Sequence, residues 1–254
     1  GIQMLKLMKY EFIHSYRTFL MSFAAFLIGC IIMPYVMDGF LSKLPFISVI
    51  FGLGFAVLLM GIAIALFVSI FMNFNRSVFE RPGYLTLTLP VSTTELIVAK
   101  VLTAVIWLII AGIVLIAGFI LMMIVTSFKM EALTVSSLMS AVTEIAGSFM
   151  NYMVHYPLDF LGNVVFVLGN LFITVGSIYF ALTLAHSKWV RKHQMVFAII
   201  GYLVLNLIIG WIALTVFGDY ISSHTMFYGF YYIVFGLLLS GLTVYLIDHH
   251  IEIE

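Results

Sequence analysis

An all-α polytopic membrane protein with six transmembrane helices is the fold class this sequence predicts, and three observations predict it. Only 9 % of the 254 residues are Asp, Glu, Lys or Arg, 64 % are apolar, and the mean hydropathy is +1.21. A soluble domain carries roughly 45–50 % apolar and about 25 % charged residues, so no water-soluble core could hide this much apolar side chain. The charges are also bunched, leaving uncharged stretches at 18–37, 44–75, 101–128, 160–187, 193–218 and 220–247. A helix rising about 1.5 Å per residue crosses a hydrocarbon core of about 30 Å in about 20 residues, and each stretch reaches that length. Finally, Lys6, Lys9, Arg17, Arg76, Arg81, Lys100, Lys188, Arg191 and Lys192 fall in segments that six alternating crossings place on one side, against Lys43 and Lys129 on the other. The positive-inside rule makes the richer side cytoplasmic, with both termini there; the plasma membrane is the expected host bilayer.

Residues 4–17 open the chain as an expected amphipathic interfacial helix. In a helical projection Leu5, Met8, Phe12, Tyr16 and Phe19 share one side while Lys6, Lys9 and Arg17 take another, a pattern suited to lipid phosphates or a cytoplasmic partner. The spans follow at 18–37, 46–72, 101–127, 160–186, 194–217 and 226–247, within one transmembrane domain covering 1–254. The first is too long for a signal-peptide core and lacks a cleavage pattern, so it is expected to be retained.

Between the second and third spans, residues 73–91 are expected to form a cytoplasmic loop with a short helix held below the bilayer. Asn73 to Arg81 is expected to leave the membrane as that helix and to stop at Pro82-Gly83; Leu85 to Leu89 alternates Leu and Thr as an extended piece. Ser92-Thr93-Thr94-Glu95 is a capping-box pattern that opens the helix of the third span. In the extracellular segment 128–159, Leu138, Ala141, Ile145, Phe149 and Met153 recur at helical spacing, predicting a helix that lies on the outer leaflet or caps the bundle. Phe227, Tyr228, Phe230, Tyr231 and Tyr232 crowd the outer end of the last span as an interfacial belt.

The chemistry is bounded by what is missing. The formal net charge is zero, which gives no reason to expect nucleic acid as a partner. Cys30 is the only cysteine, so an intrachain disulfide and a thiolate metal cluster are excluded. The predicted spans hold no Asp, Glu, Lys or Arg, whereas an ion-coupled carrier normally keeps an ionisable group there. No Gly-x-Ser-x-Gly, His-Glu-x-x-His or Gly-Lys sequence occurs, so the chain itself is expected not to be an enzyme and cannot hold a Walker phosphate loop. If ATP powers it, ATP and Mg are bound by another subunit.

One span carries an internal pattern. Gly162-Asn163, Gly169-Asn170 and Gly176-Ser177 recur every seven residues, close to two helical turns, so the glycines form a groove along one stripe. Small residues admit a neighbouring helix and Asn side chains hydrogen-bond across it; the rival reading is a polar strip on a translocation path shared with Thr174 and Asn206.

The start MLKLMKYEFIHSYR, the run FERPGYLTLTLPVSTTELIVAK and six spans with both ends inside resemble type-2 ABC transporter permeases of Gram-positive bacteria. Within that family the length and the lack of a fused ATPase are similar to permease subunits of exporters of amphipathic peptides such as phenol-soluble modulins. The resemblance implies a homodimer of permeases above two cytoplasmic ABC ATPase subunits, moving a hydrophobic or amphipathic peptide or toxin outward. It further implies that ATPase coupling falls to Arg76, Phe79, Glu80, Arg81, Gly83 and Tyr84, supported by Lys6, Lys9, Tyr10 and Glu11. Relatives carry a longer outer segment between the fifth and sixth spans than residues 218–226 allow here. A non-transporting accessory or immunity module and a secondary carrier stand as alternatives.

Overall fold

The computed structural model describes residues 2–41, 47–79, 92–129 and 135–249, and these are helical almost throughout. Helix α1 is Ile2–Leu41, α2 Ile47–Phe79, α3 Thr93–Lys129, α4 Val135–His155, α5 Pro157–Ala185, α6 Gln194–Ile212, α7 Asp219–Ser223 and α8 Thr225–His249. Six of them, α1, α2, α3, α5, α6 and α8, are long and apolar enough to cross a membrane, in agreement with the six uncharged stretches. The chain is a multi-pass membrane protein in which helices satisfy their own backbone groups, as hydrocarbon demands.

Two boundaries differ from those expected. The N-terminal segment and the first span form one uninterrupted helix, because no glycine or proline lies between Met4 and Ile28 to break it. At about 1.5 Å per residue its 40 residues extend about 60 Å, roughly twice the hydrocarbon thickness, so the charged first turns need no bend to reach water. Likewise Asn73–Phe79 continues α2 without a stop. Pro82 and Gly83, the expected stop, lie outside the described residues.

The chain divides into two compact units. Unit 1 comprises Gly1–Ser15, Ile70–Ile106 and Tyr156–Glu254. Within it α5 packs chiefly on α8 and next on α6. The α5–α8 contact is a glycine seam: a Cβ added at Gly169 would lie 2.5 Å from the Gly229 carbonyl oxygen, and one at Gly176 would lie 2.9 Å from that of Gly236. Gly229 and Gly236 are equally tight against the backbone of α5 at Val165–Phe166 and Phe172–Ile173. Small residues alone permit this approach, and close van der Waals contact is what holds helices together where lipid is as apolar as leucine.

Beside the seam, Ile173, Ile209, Ala213, Ile221, Tyr231 and Leu239 form a core. Tyr231 donates its hydroxyl to the Ile209 carbonyl at 2.7 Å, just before a π-helical turn at Ala213–Phe217. Gly218, at φ 54°, ends that turn in a conformation that favours glycine. Of the aromatic cluster expected as an interfacial belt, Tyr231 is buried, Tyr228 meets Phe166 edge-on at 5.4 Å, and Phe230 is exposed.

Unit 2 comprises Tyr16–Ser69 and Trp107–His155. Its helices meet through side chains: Phe19 stacks on Trp107 at 5.0 Å, Phe55 meets Phe119 edge-on, and Phe26 and Cys30 fill the space above Gly118. Helix α4 contains the helical spacing read from 138 to 153, and its apolar face stays open, with Met139, Val142, Ile145 and Phe149 all exposed.

Candidate functional site

The strongest concentration of polar contacts lies in unit 1, where the first turns of α1, the last turns of α2 and the first turns of α3 come together. Lys100 stands two turns into α3 and is 2 % exposed. A bare ammonium there would carry a desolvation cost of several kcal/mol, so its donors must be met. Its Nζ donates to Glu11 Oε1 of α1 at 2.7 Å and to Ser77 Oγ of α2 at 2.8 Å. The backbone carbonyl of Lys100 accepts from the Tyr179 hydroxyl of α5 at 3.2 Å. One residue thus joins four helices.

Aromatic contacts extend this junction toward the end of α2. Phe74 stacks on Tyr179 at 4.1 Å and meets Phe79 edge-on at 5.7 Å. Phe79 in turn lies flat on the His186 imidazole, with centroids 4.1 Å apart and planes 5° from parallel. His186 follows α5 directly, its Nδ1 is 2.9 Å from the Leu182 carbonyl, and burial holds its pKa below the ordinary value of 6.5. At the start of α3, the Glu95 amide donates to Ser92 Oγ at 3.2 Å, the forward half of the expected capping box. Thr93 donates to Asp248 Oδ1 at 2.6 Å, which ties the same helix start to the last turn of α8.

The residues for which the resemblance implies ATPase coupling divide as follows. Glu11 and Phe79 belong to the junction, Glu11 as the Lys100 partner and Phe79 as the plate on His186. Lys6, Lys9, Tyr10 and Arg76 are exposed on the same unit. Glu80, Arg81, Gly83 and Tyr84 lie outside the described residues. Lys100 was legible in sequence only as a cation next to a span, and the signal that marks it is its place in an apolar helix, IVAKVLTAV, where an ammonium needs a partner. His186 carried no sequence signal.

Of the polar strip, Gly162, Gly169 and Gly176 face α8, with Met226 nearest the first of them. Asn170 donates back to the Phe166 carbonyl at 2.9 Å and Asn206 to that of Tyr202 at 2.8 Å, each within its own helix. Asn163 is exposed.

Unit 2 contains an open apolar groove of about 420 Å³ between α1 and α2, lined by Met21, Ala25, Phe26, Val57, Leu58 and Gly61 among others. Its surface suits an aliphatic chain and offers no charge. Among the described residues no three of His, Cys, Asp and Glu converge on one point. No family model, curated protein or solved structure matches this chain.

Proposed function

We propose that the chain is the transmembrane subunit of an ATP-driven exporter in the plasma membrane, with both termini cytoplasmic and a hydrophobic or amphipathic cargo. Two copies span the membrane, and two cytoplasmic ABC ATPase subunits, which bind ATP and Mg, supply the energy. The observation that carries this reading is the Lys100 junction. The expected loop at 80–91 lies between Phe79 and Ser92, and both flanking helix ends are fastened to other elements: α2 to His186 at the end of α5 through Phe79 and to α3 through Ser77 and Lys100, and α3 to α1 through Lys100 and Glu11 and to α8 through Thr93. Force applied to that loop by a partner is delivered to several helices together. The resemblance of FERPGYLTLTLPVSTTELIVAK to permease coupling loops supports the same role.

The apolar character of the spans favours a cargo that partitions into lipid, and the α1–α2 groove accepts an aliphatic moiety. Among the described residues Lys100 is the one buried charged side chain, and it is paired with the Glu11 carboxylate, which counts against an ion-coupled carrier.

The test is purification of the chain with the products of its neighbouring genes, followed by reconstitution in lipid discs with any ATPase that co-purifies. Amphipathic peptides are expected to stimulate ATP hydrolysis, and Glu80→Ala with Arg81→Ala is expected to lower that stimulation at least tenfold while the complex stays assembled. Unaltered stimulation in the variant, or purification without any ATPase, refutes the reading. Transport that collapses with an ionophore and ignores ATP depletion establishes the carrier instead.

A further inference from the structure

The connection from α5 to α6 has a composition unlike the helices it joins. Between Phe160 and Gly218 the only charged side chains are Lys188, Arg191 and Lys192, all within five residues and with no acid among them. All three are exposed, and among the described residues none has a hydrogen bond or an ion pair. The Val190 amide donates to the Ser187 carbonyl at 3.1 Å, closing a tight turn with Lys188 and Trp189 at its corners. Ser187 is buried and anchors the turn, whereas Trp189 is 64 % exposed beside the cations. His193, at φ 55°, ends the connection and starts α6.

We infer that this turn is a binding site for the headgroups of anionic phospholipids in the adjoining leaflet. Reach decides where the cations sit. The connection covers only 186–193 between two membrane-crossing helices, and a chain spans at most about 3.3–3.6 Å per residue, so doubling back it extends no more than about 13 Å. The headgroup layer beyond the hydrocarbon is about 5–8 Å deep. The hydrogen-bonded turn shortens the reach further, which keeps the cations in or just above that layer. An exposed indole beside them is a side chain that membrane interfaces favour. Uncompensated cations next to phosphate gain charge-assisted hydrogen bonds, with Arg191 able to grip a phosphate through two donors. The site depends on the six-helix membrane fold alone and stands whether or not the chain is a transporter.

Native mass spectrometry of the full, delipidated chain tests this, with phosphatidylglycerol and phosphatidylcholine of identical acyl chains as probes. Phosphatidylglycerol is expected to be retained preferentially. Lys188→Gln, Arg191→Gln and Lys192→Gln together are expected to weaken it about a hundredfold, to the phosphatidylcholine level, each alone giving about fivefold. The side chains are exposed, so folding is checked by thermal melting, and the single variants decide the matter should the triple variant fail to fold. Equal retention of the two lipids, or variants that bind as the unaltered chain does, overturns the inference. Displacement by millimolar inorganic phosphate would also overturn it, in favour of a site for free anions. So would unchanged lipid retention with loss of a protein partner, which makes the occupant an acidic protein surface.

Discussion

In unit 1, α5 and α8 touch backbone to backbone through Gly169, Gly176, Gly229 and Gly236, and a buried ion pair fastens α1 to α3; in unit 2, α1 meets α3 through the rings of Phe19, Phe26 and Trp107 and borders an open groove with α2. Backbone contacts and buried charge pairs have one acceptable geometry, because neither a carbonyl nor a desolvated ammonium can be accommodated by a change of rotamer. Side-chain contacts can repack. The difference teaches that unit 1 is built to keep its helices in register, whereas the groove of unit 2 is lined by flexible side chains such as Met21 and Leu58 that can adjust to an occupant.

The largest effect is expected where unit 1 is least forgiving. Lys100→Met leaves the Glu11 carboxylate, 12 % exposed, without its counter-ion, and removal of one partner of a buried pair costs about 3–5 kcal/mol. Adding Glu11→Met should restore most of that stability, since an apolar pair of similar volume replaces a desolvated ionic one. Equilibrium unfolding in mixed micelles measures both. A single variant as stable as the unaltered protein would show that the junction does not hold α1 to α3.

A matched pair of smaller changes addresses the glycines. Gly169→Ala places a methyl 2.5 Å from a backbone oxygen and should destabilise by about 1–3 kcal/mol as α5 and α8 move apart. Gly61→Ala, in the groove of unit 2, has nothing within 4 Å and should stabilise α2 by about 0.5–1 kcal/mol through helix propensity. Equal effects at the two sites would erase the distinction between a backbone seam and an open groove.

These sites also mark how far the sequence could be read. The six helices were legible because a charge-free window of bilayer length has few other uses, and the heptad of glycines in α5 was legible as a close-approach stripe. Its partner was not, since Gly229 and Gly236 lie some 60 residues away and nothing local couples the two patterns. The same separation hid the junction. Glu11 and Lys100 are 89 positions apart, so each read only as a charge flanking a span, and the pairing emerges once α1, α2 and α3 are placed side by side. At Asn170 and Asn206 the sequence suggested an amide reaching another helix, and one N–H of each goes to the carbonyl four residues back in its own helix.

The smallest expected effect concerns the ladder that leads from the junction to the loop. His186 is neutral when stacked on Phe79, its pKa pushed below 6.5 by burial, so the folded protein binds its proton less readily than the unfolded chain. The stabilisation from this group is therefore complete above about pH 6.5 and is lost as the pH falls through the window below that value. Protonation draws the imidazole toward water and away from the Phe79 ring, a contact worth about 0.5–1.5 kcal/mol. His186→Phe keeps the stacked plate and removes the titration, so its stability should stay flat where that of the unaltered chain declines. Following the unfolding midpoint of both proteins from pH 7.5 to pH 5 decides it; parallel curves would mean that the ladder is indifferent to the His186 charge and that Phe79 is held by the junction alone.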